Sequence, residues 1–134
     1  MGARSKARKR AVDLLYEADL RGTDSISTLA ERVALADPPV NDYTIALVQG
    51  VAEHADDIDR LLAEQAHGWV LARMPAVDRA VLRLGVFELL FSAEVDDAVA
   101  IDEAIELAKL LSTDDSPRFV NGVLGALAAL PRGL

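Results

Sequence analysis

The chain of 134 residues has no cysteine. That excludes a disulfide framework, a thiolate metal site and a cysteine nucleophile. Aromatics are scarce, with three Phe, two Tyr and one Trp. β-branched runs are short too, which argues against a core built from sheets. No apolar run reaches the roughly 18 residues that cross a bilayer. The basic N-terminal segment is followed by Asp13, Glu17 and Asp19 rather than by an apolar stretch, so it does not read as a secretory signal. A cytoplasmic protein with no membrane contact is the expectation. His54 and His67 stand thirteen apart and make no ligand spacing for a metal. Walker-type loops, dinucleotide fingerprints and Gly-x-Ser-x-Gly elbows are absent. No enzyme, cofactor or metal is therefore expected.

What the chain does have is a segregation of charge. Arg4, Lys6, Arg8, Lys9 and Arg10 fall within seven positions, with no acid among them. Of 14 Lys/Arg, nine remain elsewhere against 22 Asp/Glu, so the body carries −13 within a total of −8. A solubility pattern would mix the signs. A basic end on an acidic body reads as a local anion site, and nucleic-acid phosphate is the commonest large anion. The competing reading is a basic tail with no target. The acidic body argues against coating nucleic acid all round and permits a basic protein partner.

Hydrophobic residues make up 51% of the chain and recur at three- and four-residue steps. The pattern predicts an all-α, bundle-like single domain over 1–134 with seven helices. The first spans about Ser5 to Leu20, with Gly22 after its end. The second spans about Ser27 to Ala36, stopped by Pro38-Pro39, and the third begins near Asn41. The fourth covers about Asp56 to Gln65, and a linker from His67 to Met74 leads to Pro75. The fifth, about Ala76 to Phe91, is apolar on two sides and should be central. The sixth covers about Ala98 to Leu111. Ser116 and Pro117 read as N-cap and first helical residue of the seventh, which continues to about Leu130.

Within that frame Lys6, Lys9 and Arg10 share one helix face, and Arg4 and Arg8 form a neighbouring ridge. Arginine grips phosphate bidentately or stacks on a base. Tyr16 offers a stacking face for an unpaired base or packs on the next helix. Arg79 and Arg83, four apart, are expected to pair with acids from other helices. Arg73, in the linker, is freer to meet a ligand. Gly122 and Gly125 fall four and seven after Arg118, which suggests close helix approach, with Asn121 bonding a neighbouring backbone. Phe119 is a core plug or an exposed stacking group. Asp114 and Asp115 favour the helix start through its dipole. The run Asp56, Asp57, Asp59 reads as a solvated face.

Several blocks, in order, resemble the NusB family of bacterial transcription antitermination factors. The sharpest are Ala100-Ile101-Asp102-Glu103-Ala104-Ile105-Glu106-Leu107-Ala108-Lys109 and Phe119-Val120-Asn121-Gly122-Val123-Leu124. Val77-Asp78-Arg79-Ala80-Val81-Leu82-Arg83 and Ala7-Arg8-Lys9-Arg10-Ala11-Val12, with Leu15-Tyr16, agree as well. The resemblance implies seven helices in two packed subbundles. It implies binding to boxA, a short single-stranded RNA element of ribosomal RNA leaders, together with NusE, a small-subunit ribosomal protein. RNA polymerase and the other Nus factors would be indirect partners. No catalysis and no cofactor are implied. The family's RNA surface falls on Arg4, Lys6, Arg8, Lys9, Arg10, Tyr16, Arg73, Asp115 and Phe119, and Glu88 is a candidate for the protein-partner surface. The sequence departs from the family in having Asp102 where Asn is frequent and Gly125 where an acid is frequent.

Three other readings stand beside this one. An acidic interaction module could dock a basic partner with RNA incidental. A homodimer could hide the basic face until a partner arrives. Some ribosomal RNA cytosine methyltransferases carry a similar domain, but the chain ends at Leu134 with no cofactor-binding α/β domain, so methyl transfer is not expected.

Overall fold

The computed structural model describes residues 1–66 and 70–131; His67 and the start of the expected linker lie outside them. Among the described residues there are seven α-helices, one 3-10 turn and no strand. They are α1 (Ala3–Arg21), α2 (Ser25–Leu35), α3 (Asp42–Glu53), α4 (Ala55–Gln65), α5 (Ala76–Val86), α6 (Asp97–Leu111) and α7 (Ser116–Ala128), with the 3-10 turn at Leu71–Arg73. None is long and apolar enough to cross a membrane among the described residues.

Local chemistry accounts for most of the boundaries. Gly22 ends α1 in the left-handed region at φ 63°, where its N–H reaches the Ala18 and Asp19 carbonyls. The carboxylate of Asp24 accepts from Ile26 N–H and starts α2, and Asn41 does the same for α3 through Tyr43 N–H. Two boundaries differ from expectation. The fifth helix changes to a π turn over Phe87–Phe91 instead of staying α-helical. At α7 the cap position is Asp115, and Ser116 is already helical. The Ser116 hydroxyl is drawn instead to a buried carboxylate across the fold.

α1, α2 and α3 pack together, and α4 to α7 form a second group. α5 touches α1 and α3 of the first group and α4, α6 and α7 of the second, so it is central as its two apolar sides required. Val81, Leu82, Leu84 and Val86 are fully buried along it, against Val12, Leu47, Leu62 and Leu124 from four other helices.

The helices approach closely at Gly85 and Gly50 rather than at the glycines of α7. A Cβ on Gly122 or Gly125 would meet nothing within 4 Å. Asn121 is exposed, with no bond to a neighbouring backbone among the described residues. The expected α7 groove is therefore an open strip. By contrast, a Cβ on Gly50 would lie 2.2 Å from the Phe87 ring. Gly50→Ala should destabilise the protein by about 1–3 kcal/mol through overpacking, even though alanine favours a helix. Urea denaturation reads this directly, and a variant as stable as wild type would show that the ring can move aside.

Candidate nucleic-acid interface

The N-terminal basic cluster lies wholly on α1, whose first two turns carry it. Helical spacing divides its members. Ala7, Ala11 and Leu14 turn to the core and bring Arg8 in with them, which is only 3% exposed. Lys6 and Arg4 stay exposed, and Lys9 and Arg10 are half-buried. Lys6 and Arg10 have no ion pair among the described residues, and Lys9 reaches only Asp13, at 3.6 Å on the same helix. Arg4 lies 4.6 Å above the Tyr43 ring and 3.9 Å from Glu94.

Arg8 and Glu88 both depart from expectation. Arg8 Nε donates to Glu88 Oε1 at 2.7 Å, and its Nη1 is 3.1 Å from Glu103. Glu88, 2% exposed on the π turn, also accepts from the Tyr43 hydroxyl. Ser5 Oγ donates to Glu103 at 2.7 Å and closes the group. Arg8 thus presents no charge to an RNA, and Glu88 presents none to a protein partner. The reason is physical: buried charges must be paired, and these two satisfy each other. Sequence spacing placed both on helices but gave no sign that they meet, since they are 80 positions apart. Tyr43 was missed for the same reason.

Burial opposes the charge on Arg8, but the Glu88 hydrogen bond and charge outweigh it and raise the guanidinium above its ordinary value. Burial, then the Glu88 hydrogen bond and charge, push the Tyr43 phenol up to about 12. The folded state therefore holds this proton more tightly than the unfolded chain, whose tyrosine titrates near 10. Its contribution to stability is complete below pH 10 and is lost as pH rises towards 12. Tyr43→Phe should remove that part of the alkaline destabilisation. Identical denaturation curves for the two proteins between pH 9 and 11.5 would show that Tyr43 is not responsible.

The remaining candidates gather further along. Tyr16 is 38% exposed, on the side of α1 that continues from Lys9 and Asp13. One turn on, Asp19 accepts from Arg79 Nε at 2.9 Å. Arg79 Nη1 also donates to the carbonyls of Leu71, Ala72 and Met74. A single guanidinium thus ties α1 to the 3-10 turn that carries exposed Arg73. Beside that turn, Met74 and Pro75 share a hollow of about 140 Å³ with Asp115 and Phe119. Asp115 is exposed, and Phe119 packs half-buried on the edge of the core. Arg79 and Arg83 do pair with acids from other helices, Arg83 holding Asp59 of α4 through two bonds of 2.9 and 3.0 Å. Asp59 therefore leaves the solvated run that Asp56 and Asp57 keep.

No group of three His, Asp or Glu side chains suited to a metal occurs among the described residues. What the surface offers is a basic face on which Lys6 and Arg10 have no ion pair among the described residues, with the edges of Tyr16 and Phe119 and the carboxylate of Asp115 further along, which suits binding an anionic chain.

The sequence matches the NusB family over residues 5–129. It is 67% identical to the transcription antitermination protein NusB of Saccharopolyspora erythraea over 132 residues, covering 97% of this chain and 89% of that one. The corresponding protein of a Nocardioides species is 58% identical, covering 95% and 94%. Among solved structures, T. maritima NusB superposes with a TM-score of 0.83 at 33% identity, covering 96% of this chain and 92% of that one. A chain from the antitermination factors NusB and NusE in complex with dsRNA gives 0.81 at 30% identity, covering 93% and 95%. Sequence and fold agree over nearly the whole length, and the chain belongs to the NusB family.

Proposed function

We propose that this protein is a transcription antitermination factor that binds a boxA-type single-stranded RNA together with NusE, without catalysing a reaction. The observation that carries the reading is the basic face of α1, where Lys6 and Arg10 have no ion pair among the described residues and Lys9 and Arg4 make only long contacts of 3.6 and 3.9 Å with acids, on a protein that is otherwise acidic. Such a face supplies phosphate contacts, which give affinity without sequence information. Tyr16 and Phe119 are the aromatic candidates for base contacts; Asp115 lines a hollow with Phe119, and Arg73 precedes Met74 of that hollow in the chain. The relationship to a chain solved with NusE and RNA supports the same partners. An acidic body suits a basic ribosomal protein, through which RNA polymerase and the other Nus factors would be reached in the cytoplasm. The unit is a single RNA- and protein-binding domain.

Fluorescence anisotropy tests this with a labelled boxA-type RNA and a scrambled control, at two salt concentrations, with and without NusE. Preferential, salt-sensitive binding strengthened by NusE is the expected result. No preference under any condition would leave a protein-interaction module and overturn the RNA assignments.

A further inference from the structure

We infer that Asp78 is a positioning residue for the α7 end of the RNA surface, an inference that rests on the RNA-binding reading above. Asp78 lies in the first turn of α5 and is 5% exposed. Among the described residues no Lys or Arg pairs with it. A buried carboxylate without a cation is costly unless its oxygens are hydrogen-bonded, and an apolar residue would ordinarily pack better there. Its place there therefore calls for a geometric reason.

The hydrogen bonds supply one. Ser112 Oγ donates to Asp78 Oδ1 at 2.6 Å, and Ser116 Oγ donates to Oδ2 at 3.0 Å. The two hydroxyls are 2.9 Å apart, and Thr113 Oγ1 is 3.1 Å from Ser116 Oγ. Ser112 caps the end of α6 and Ser116 is the first residue of α7. One carboxylate on the central helix thus grips both ends of the turn between them. That turn carries Asp115, and Phe119 lies one helical turn beyond. Asp78 and Thr113 line the same hollow as Asp115 and Phe119.

A carboxylate fixes two donors in set directions, whereas hydroxyls bonded only to one another can rotate. Removing Asp78 frees the turn and lets Asp115 and Phe119 drift from the positions that read a base. Among the described residues no hydrogen bond or ion pair links the basic face of α1 to this cluster, so that face keeps its phosphate contacts. Loss of Asp78 therefore lowers sequence preference and leaves the electrostatic part of binding intact.

The test compares Asp78→Ala, Asp78→Asn, Phe119→Ala and the double variant Asp78→Ala/Phe119→Ala as full chains. Hydrogen exchange of residues 112–119 is read in the free protein, and binding is read with boxA-type RNA, scrambled RNA and NusE. In Asp78→Ala, exchange should rise over 112–119. Preference for the boxA-type RNA should fall about tenfold, the scale of one stacked base. The double variant should lose no more preference than Phe119→Ala alone. NusE affinity and salt slope should stay at wild-type values. Asp78→Asn, which can accept from one hydroxyl and donate to the other, should restore most of the preference. Should Asp78→Ala not fold, Ser116→Ala removes one donor and carries the same comparison. Unchanged exchange over 112–119, or equal losses on both RNAs, would overturn the inference. A wild-type preference retained in Asp78→Ala would sink the inference alone, whereas no preference in the wild type would sink the RNA reading and this inference with it.

Discussion

Replacing Arg8 with alanine should cost about 3–5 kcal/mol of folding stability, because it leaves Glu88 buried without its cation. Single domains are stable by only about 5–15 kcal/mol, so this is a large fraction of the total. The group is tight: Glu88 accepts from Arg8 and Tyr43, and Glu103 takes Arg8 and Ser5. The urea midpoint should fall by about 2 M with little change in slope. Much of the loss comes from the orphaned carboxylate rather than the missing attraction. Arg8→Met combined with Glu88→Leu should therefore recover part of it. RNA affinity per folded molecule should barely change. An Arg8→Ala protein as stable as wild type but weak on RNA would return Arg8 to the binding face.

The second large effect concerns the cations that α1 keeps at the surface. Lys6→Ala/Lys9→Ala/Arg10→Ala should weaken binding to boxA-type and scrambled RNA alike and leave stability near wild type. Each phosphate contact on a single strand contributes about −0.7 to the slope of log affinity against log salt. With Arg8 withdrawn, the four remaining cations of the α1 face set an expected slope of about −2.8 from this helix. The triple variant should be shallower by about 2, so a fourfold rise in salt should weaken it roughly twentyfold less than wild type. Phe119→Ala should behave oppositely, losing preference with the salt slope intact. A triple variant with wild-type slope would place the phosphate path elsewhere.

The helices could be read from the sequence because each is amphipathic and locally signalled, as Gly22, Asn41 and Pro117 illustrate. The centrality of α5 was equally legible, since apolar residues on two sides leave no face for solvent. Arg79 and Arg83 were legible as ion-paired because like charges one turn apart need outside partners. The site was only half legible. Lys6, Lys9, Arg10 and Arg8 look alike in the sequence, and only the rotation of α1 against α3 and α5 separates the three that reach the surface from the buried one. Glu88 could not be seen as a core residue because its partners are distant in the chain. Gly122 and Gly125 misled for a related reason: a glycine pair signals that no side chain is present, not that a neighbour needs the space. Asp78 stood inside a recognisable block, but its two serines lie 34 and 38 positions away.

The link from residue 8 to residue 88 also has a consequence for the protein while it is being made. Bacterial chains emerge at about 5–20 residues per second, so roughly 4–16 seconds separate the synthesis of these two partners. During that time Arg8 has no Glu88 to neutralise it, and the apolar side of α1 that will meet α5 has nothing to cover it. The nascent N-terminus therefore carries five free positive charges where the finished protein shows four. Until the central helix arrives, the first three helices lack both their main apolar partner and the ion pairs that hold α1 to α5.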